Sequence, residues 1–278
     1  MSAVYLTKRA EVAVAHQCLR DDWNALQNEA VYGLESRPHG HNYLIEVTVA
    51  GEVRPESGMV VNIKDVKAAM GAVLADYDHR NLNGDHPAFA RQAPTTERVV
   101  QQMWADLQGR LTDGTLERVR LFENEDTWYE AHRPGSPLAP GVKASMLITR
   151  RYTFSAAHRL HAPSLSEQEN RDLFRDCNNP NGHGHNYTLE VTVGGDVDPQ
   201  TGLATDHRGL DETIRKAVVD RYNFRNLNGE VPEFADQVTT SENIVRTIWQ
   251  TLERQLGDGT LYRIRLGETR DNYFEYYG

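Results

Sequence analysis

The stretch HGHNYLIEVTVAGEVRPESG, residues 39–58, returns as HGHNYTLEVTVGGDVDPQTG at 183–202, an offset of 144. After each histidine pair, β-branched residues alternate with others and run into a Gly, Asp and Pro turn. That is the period of a half-buried strand ending in a loop. The match extends outward. RNLNG at 80 recurs at 225, DGTL at 113 recurs at 258, Trp104 recurs as Trp249 and RVRLFE recurs as RIRLGE, all displaced by 145. AVAH ending at His16 answers SAAH ending at His158 at a displacement of 142. The chain is one domain written twice, with small insertions between the landmarks.

Within a copy, IKDVKAAMGAVLADY has helical spacing, and TTERVVQQMWADLQ opens on a threonine N-cap with Glu97 in its first turn. TLERVRLFEN and TLYRIRLGET alternate again and read as strands. The order strand, strand, helix, helix, strand, strand predicts an α+β unit: an antiparallel four-stranded sheet with two helices on one face. The copies span 1–132 and 146–278, and the Pro- and Gly-rich RPGSPLAPG marks 133–145 as a linker.

With 278 residues, 39% of them hydrophobic and 25% charged, the chain has material for two packed cores. A net charge of −10 gives no long-range attraction to nucleic acid or to an anionic membrane. No apolar run reaches the ~18 residues of a membrane helix. MSAVYLTKRAEVAVAH lacks a signal-peptide core, so a cytoplasmic protein is expected. Two cysteines, Cys18 and Cys177, make no disulfide framework, and a reducing compartment keeps both as thiols.

Residues two apart on a strand share a face, so His39 with His41 and His183 with His185 each present two imidazoles to one point. His16 and His158 end a strand that could pair alongside. Taken alone, a His-x-His pair reads as easily as a surface feature. Both copies keep all three histidines, which turns the reading toward two three-imidazole sites suited to Zn²⁺. His86, His132, His161 and His207 have no counterpart in the other copy and are expected at the solvated surface. Trp104 and Trp249 are expected in the core, and Cys18 is read as structural or incidental.

The stretch FSAAHRLHAPSLSEQENRDLFRDCNNPNGHGHNYTLEVTV, and both copies over nearly their whole length, resemble the 6-pyruvoyltetrahydropterin synthases. These are zinc lyases acting on 7,8-dihydroneopterin triphosphate, with 6-carboxytetrahydropterin synthases as relatives. The resemblance implies the tunnelling fold, whose sheet closes into a barrel through its neighbours, and hence a homo-oligomer. It places zinc on His158, His183 and His185, a catalytic thiol on Cys177, and the pterin on Glu268 and on TTSEN with Thr240 and Glu242. The family's Asp-His pair is missing there, replaced by Asn223 and Phe224. In the first copy the loss is reversed: Asp78 and His79 match the pair, Glu123 the pterin glutamate, and His16, His39 and His41 the zinc ligands, while the cysteine position reads as Gly33. Glu35 stands near where some relatives carry a carboxylate base, and a solvated loop residue is the reading preferred for it. Because the family's Asp-His pair reaches a neighbouring subunit's zinc, the resemblance implies a composite site drawing Cys177 from one copy and Asp78 with His79 from another. Arg159, Arg171 and Arg175 lie close enough in sequence to meet a triphosphate. The 6-carboxy product and an inactive pterin-binding descendant are the alternatives.

Overall fold

In the computed structural model, which describes residues 3–257 and 260–278, the chain divides into two compact units. Asp258 and Gly259 of the second DGTL lie outside the described residues. Unit 1 comprises residues 1–148 with 194–206, and unit 2 comprises 149–193 with 207–278.

Unit 1 contains β1 (Val4–His16), α1 (Ala25–Tyr32), β2 (His39–Gly51), α2 (Ile63–Leu74), β3 (Arg80–Asn81), α3 (Thr96–Gln108), β4 (Thr115–Asn124) and β5 (Thr127–His132). Its strands run in the order β5-β4-β2-β1-β3. The first four are antiparallel, and β3 adds a short parallel edge beside Val14 and Ala15. One sheet face carries Val12, Val14, Tyr43, Ile45, Val47, Val119 and Leu121, all buried. Val66, Met70 and Val73 of α2 and Val99, Met103 and Leu107 of α3 are likewise buried, and the two helices pack on that face. The opposite face is polar. Glu46 there is held by Arg9, Arg118 and Arg120, and Arg120 also reaches Glu130.

Unit 2 repeats the plan with β6 (Met146–His158), α4 (Glu167–Phe174), β7 (His183–Gly195), α5 (His207–Ile214), β8 (Arg225–Asn226), α6 (Ser241–Leu256), β9 (Leu261–Gly267) and β10 (Tyr273–Tyr276). The strand order is β10-β9-β7-β6, with β8 parallel to β6. The tunnelling-fold class expected from the sequence is the one observed, and Thr95 caps α3 by accepting from the Arg98 N–H as predicted.

Two differences have physical causes. The short helices α1 and α4 escape pattern reading because they have no apolar periodicity. They are held by capping boxes at Asn24 and Ser166 and by Asn28 and Asn170, whose side-chain amides donate to three carbonyls each. Neither His86 nor His132 is the solvated surface residue expected: His86 is buried, and the His132 side chain is only 6% exposed. His86 stacks between Tyr77 and Phe89, with centroids 4.5 and 5.0 Å away, and the His132 Nε2–H donates to Glu130 at 3.0 Å.

Candidate metal centres and catalytic residues

Each repeat gathers its histidines by strand register. In unit 1, His16 stands opposite His39 across β1 and β2, and His41 follows on the same face. Ring centroids lie 4.3, 5.2 and 5.1 Å apart there, and 4.6, 5.2 and 5.0 Å apart among His158, His183 and His185. In both clusters one ring nitrogen of each histidine lies within 4.8 Å of the others.

The tautomers are set from behind. His16 Nδ1 meets the Pro94 carbonyl at 2.8 Å, His158 Nδ1 the Thr239 carbonyl at 2.8 Å, and His39 Nδ1 the Arg37 carbonyl at 2.7 Å. A carbonyl only accepts, so Nδ1 carries the proton and Nε2 keeps its lone pair for a metal. Nε2 of His39, His158 and His185 is buried and has no hydrogen-bond partner among the described residues. Burial holds His16 and His41 down to about 4 and also lowers His158 and His185, keeping them in the neutral, ligating form. Partnerless buried nitrogens and neutral rings fit a divalent ion of the zinc type. Of the three backing carbonyls, those of Pro94 and Thr239 lie far away in sequence and give no signal in the residue pattern.

Glu268 borders the second cluster, its Oε1 lying 3.8 Å from His158 Nε2 and 3.7 Å from His185 Nε2. Ser241 Oγ donates to that oxygen at 2.9 Å and Asn272 Nδ2 to the other at 3.0 Å, so the carboxylate is held by partners that sequence reading missed. Glu123 stands likewise 3.8 Å from His41. Thr240 is the N-cap of α6, accepting from Asn243 N–H. Glu242 in its first turn is exposed, whereas its counterpart Glu97 is fully buried and accepts from the Ala204 N–H at 3.1 Å.

Cys177 lies in a 3-10 turn, Arg175–Asn178, fixed by Leu160 N–H donating to the Cys177 carbonyl at 2.9 Å. The corresponding turn in unit 1 is Gly33–Ser36, and there Cys18 N–H donates to the Glu35 carbonyl at 2.8 Å. Leu160 and Cys18 each stand two residues after the first histidine, so the residue in the place of Cys177 is Glu35, not Gly33. The two extra residues between Cys177 and His183 are taken up in the loop that follows the turn. Glu35 is half-buried rather than a solvated loop residue, and Cys18 Sγ lies 3.9 Å from its carboxylate. Burial, then the Glu268 and Asp176 charges, pushes the Cys177 thiol up, so the protein groups alone do not ionise it. Cys18 is fully buried beside Tyr32 and Ala93.

Asp78 accepts from the Ala13 N–H at 3.0 Å and pairs with His79 Nδ1 at 3.0 Å. The Ala13 hydrogen bond, then that of His79, lowers the Asp78 carboxyl. The His79 ring is exposed. In unit 2, Asn223 accepts from the Ser155 N–H at 2.9 Å, and Phe224 projects outward with 83% exposure. Arg159 is drawn to Asn178, while Arg171 and Arg175 are exposed.

The family model described as 6-pyruvoyl tetrahydropterin synthase matches residues 5–134 and again 147–278. The chain therefore belongs to that family, as a tandem duplication of its domain, and is a lyase of that kind. It is 43% identical over 138 residues to the 6-pyruvoyl tetrahydrobiopterin synthase of Homo sapiens, covering 50% of this chain and 95% of that protein. To the 6-carboxy-5,6,7,8-tetrahydropterin synthase of Bacillus subtilis it is 34% identical over 138 residues, covering 46% and 84%. Among solved structures, that of the Caenorhabditis elegans 6-pyruvoyl tetrahydropterin synthase superposes with a TM-score of 0.46 at 39% identity, over 48% of this chain and 94% of that one. Among the described residues no helix is long and apolar enough to cross a membrane.

Proposed function

We propose that the chain converts 7,8-dihydroneopterin triphosphate to 6-pyruvoyltetrahydropterin with release of triphosphate. The working centre combines His158, His183, His185, Cys177 and Glu268 of a second repeat with Asp78 and His79 of a first repeat, in a cytoplasmic homo-oligomer. One observation carries this reading: the chain keeps one thiol in the active position and one Asp-His pair, and keeps them in different repeats.

When bound at the three imidazoles, Zn²⁺ supplies Lewis acidity toward the substrate side-chain oxygens and a positive charge that lowers the neighbouring thiol. Cys177, as thiolate, removes the hydrogen from the adjacent side-chain carbon. His79, oriented by Asp78, passes protons as triphosphate leaves and the ring tautomerises. Glu268, pinned by Ser241 and Asn272, accepts from the pterin amide and amine N–H groups, which selects that heterocycle. Arg159, Arg171 and Arg175 are the cations proposed for the triphosphate.

Glu35 in the place of Cys177 supports a second reading, in which the first-repeat centre also turns over with a carboxylate as base. The 6-carboxy product is the other outcome. Incubating zinc-loaded protein with 7,8-dihydroneopterin triphosphate and weighing the products separates these readings. A 6-pyruvoyl mass lost in Cys177→Ala supports the proposal; a 6-carboxy mass replaces it; absence of triphosphate release leaves a binding protein. Mixing Cys177→Ala chains with His79→Ala chains tests the composite: regained turnover means that the two halves meet between chains.

A further inference from the structure

Trp104 and Trp249 occupy the same place in the two repeats, yet they are covered differently. Trp249 is 6% exposed, its ring meeting Tyr276 edge-on at 5.5 Å. In unit 1, β5 pairs with β4 so that Ala131 faces Val119, as Tyr276 faces Ile264 in unit 2. Ala131 thus stands where Tyr276 stands and brings no ring. A cavity of about 660 Å³ lies there, walled by Trp104, Ala131, Val142, Gln101, Arg133 and Lys143 among others. That volume is within the ~300–1,000 Å³ of small-molecule sites. No residue of the histidine centres lines it.

Its lining has no carboxylate in a chain of net charge −10. Arg133 is held in place by Glu117 at Nε (2.8 Å), leaving Nη2 without a partner among the described residues. Lys143 is exposed and makes no ion pair among them. One wall is an aromatic ring whose twin is satisfied by another aromatic ring, and the rim offers two cations. We propose that unit 1 carries a second binding site, distinct from the histidine centre, for a small planar aromatic anion: a ring edge-on to Trp104, and a carboxylate or phosphate held by Arg133 and Lys143.

The test is calorimetric titration with phenyl phosphate, alongside benzyl alcohol and inorganic phosphate. Binding of phenyl phosphate, with the ring alone and the anion alone each weaker by about tenfold or more, is expected. Ala131→Tyr restores the ring that the second repeat already has; it should abolish binding while leaving lyase turnover and melting temperature unchanged. No binding by the wild type, equal binding of benzyl alcohol, or binding indifferent to Ala131→Tyr overturns the site. Should Ala131→Tyr fail to fold, Lys143→Gln on the exposed rim decides: about tenfold weaker phenyl phosphate is expected, and unchanged affinity overturns it.

Discussion

In the first repeat Glu35 follows the backbone path that Cys177 follows in the second, and in the second Asn223 and Phe224 follow the path of Asp78 and His79. The main-chain bonds barely notice. Ala13 N–H to Asp78 measures 3.0 Å and Ser155 N–H to Asn223 2.9 Å; His79 N–H to the Ala13 carbonyl measures 2.7 Å and Phe224 N–H to the Ser155 carbonyl 2.6 Å. Asparagine keeps the acceptor that holds the loop and drops the charge that would steer an imidazole. The repeats show that these loops are built by backbone and acceptor geometry; under the proposed function, the proton chemistry rides on side chains the fold does not need. Each copy could therefore change a different part, and the composite centre proposed above is the arrangement in which neither change would matter.

The largest effects should come from breaking the asymmetry at the centres. His183→Ala is expected to abolish turnover and lower the bound metal from two ions per chain to one. His39→Ala should remove the other ion and leave 6-pyruvoyl formation standing. Elemental analysis with product assays reads both, and equal activity losses would end the claim that the centres differ. Cys177→Ala should cost about 10²–10⁴-fold in kcat, the range of a positioned acid or base. If Glu35→Gln costs as much, the first-repeat centre is active.

A smaller effect sharpens the relay. His79→Ala should lower kcat by about 10²-fold or more with little change in KM, because the ring moves protons without binding the heterocycle. Phe224→His with Asn223→Asp puts the pair back in the second repeat. If Glu35 is a competent base, that double variant gains turnover that survives Cys177→Ala; if not, it gains nothing.

Acid should expose the buried imidazoles of the metal-free protein. His16 is held to about 4 against an ordinary 6.5, so the unfolded state binds more protons between these values. Stability is then whole above 6.5 and falls as the pH drops toward 4, by up to about 3 kcal/mol for this residue. His158 and His185 are lowered in the same direction. Urea unfolding of the chelated protein at several pH values checks this; a midpoint flat from 6.5 to 4 would show that the rings are not buried neutral.

Much of this was written in the sequence, and the rest fails for identifiable reasons. Strand register brings His-x-His and the strand-end histidine together, so both clusters were legible from spacing, and alternation gave the long strands. Glu35 escapes a reading by spacing because six residues before His39, the distance from Cys177 to His183, lies Gly33, whereas the turn is tied to the residue two after His16. The carbonyls of Pro94 and Thr239 bear no side-chain signal, and Ser241 reaches Glu268 from a helix start 27 residues away in sequence. His132 looked solvated because its partner Glu130 lies two residues off on the same strand face, a pair that only burial reveals.

The smallest effect falls on the loop that both repeats share. His79 and Phe224 sit at φ 58° and 55°, the left-handed region that a side chain enters at a cost of about 1–2 kcal/mol. Glycine removes that cost but gains roughly 0.5–1 kcal/mol of freedom in the unfolded chain. Phe224→Gly should therefore stabilise by about 0.5–1 kcal/mol and leave turnover alone, since the ring is 83% exposed in this chain. His79→Gly should stabilise as much and lower kcat by about 10²-fold or more, as His79→Ala does. The pair of urea midpoints, read with activity, separates strain kept for chemistry from strain left behind when the chemistry went. Were Phe224→Gly instead to destabilise, and more so at higher protein concentration, the ring would be packed against another copy, and its retention would be a matter of assembly.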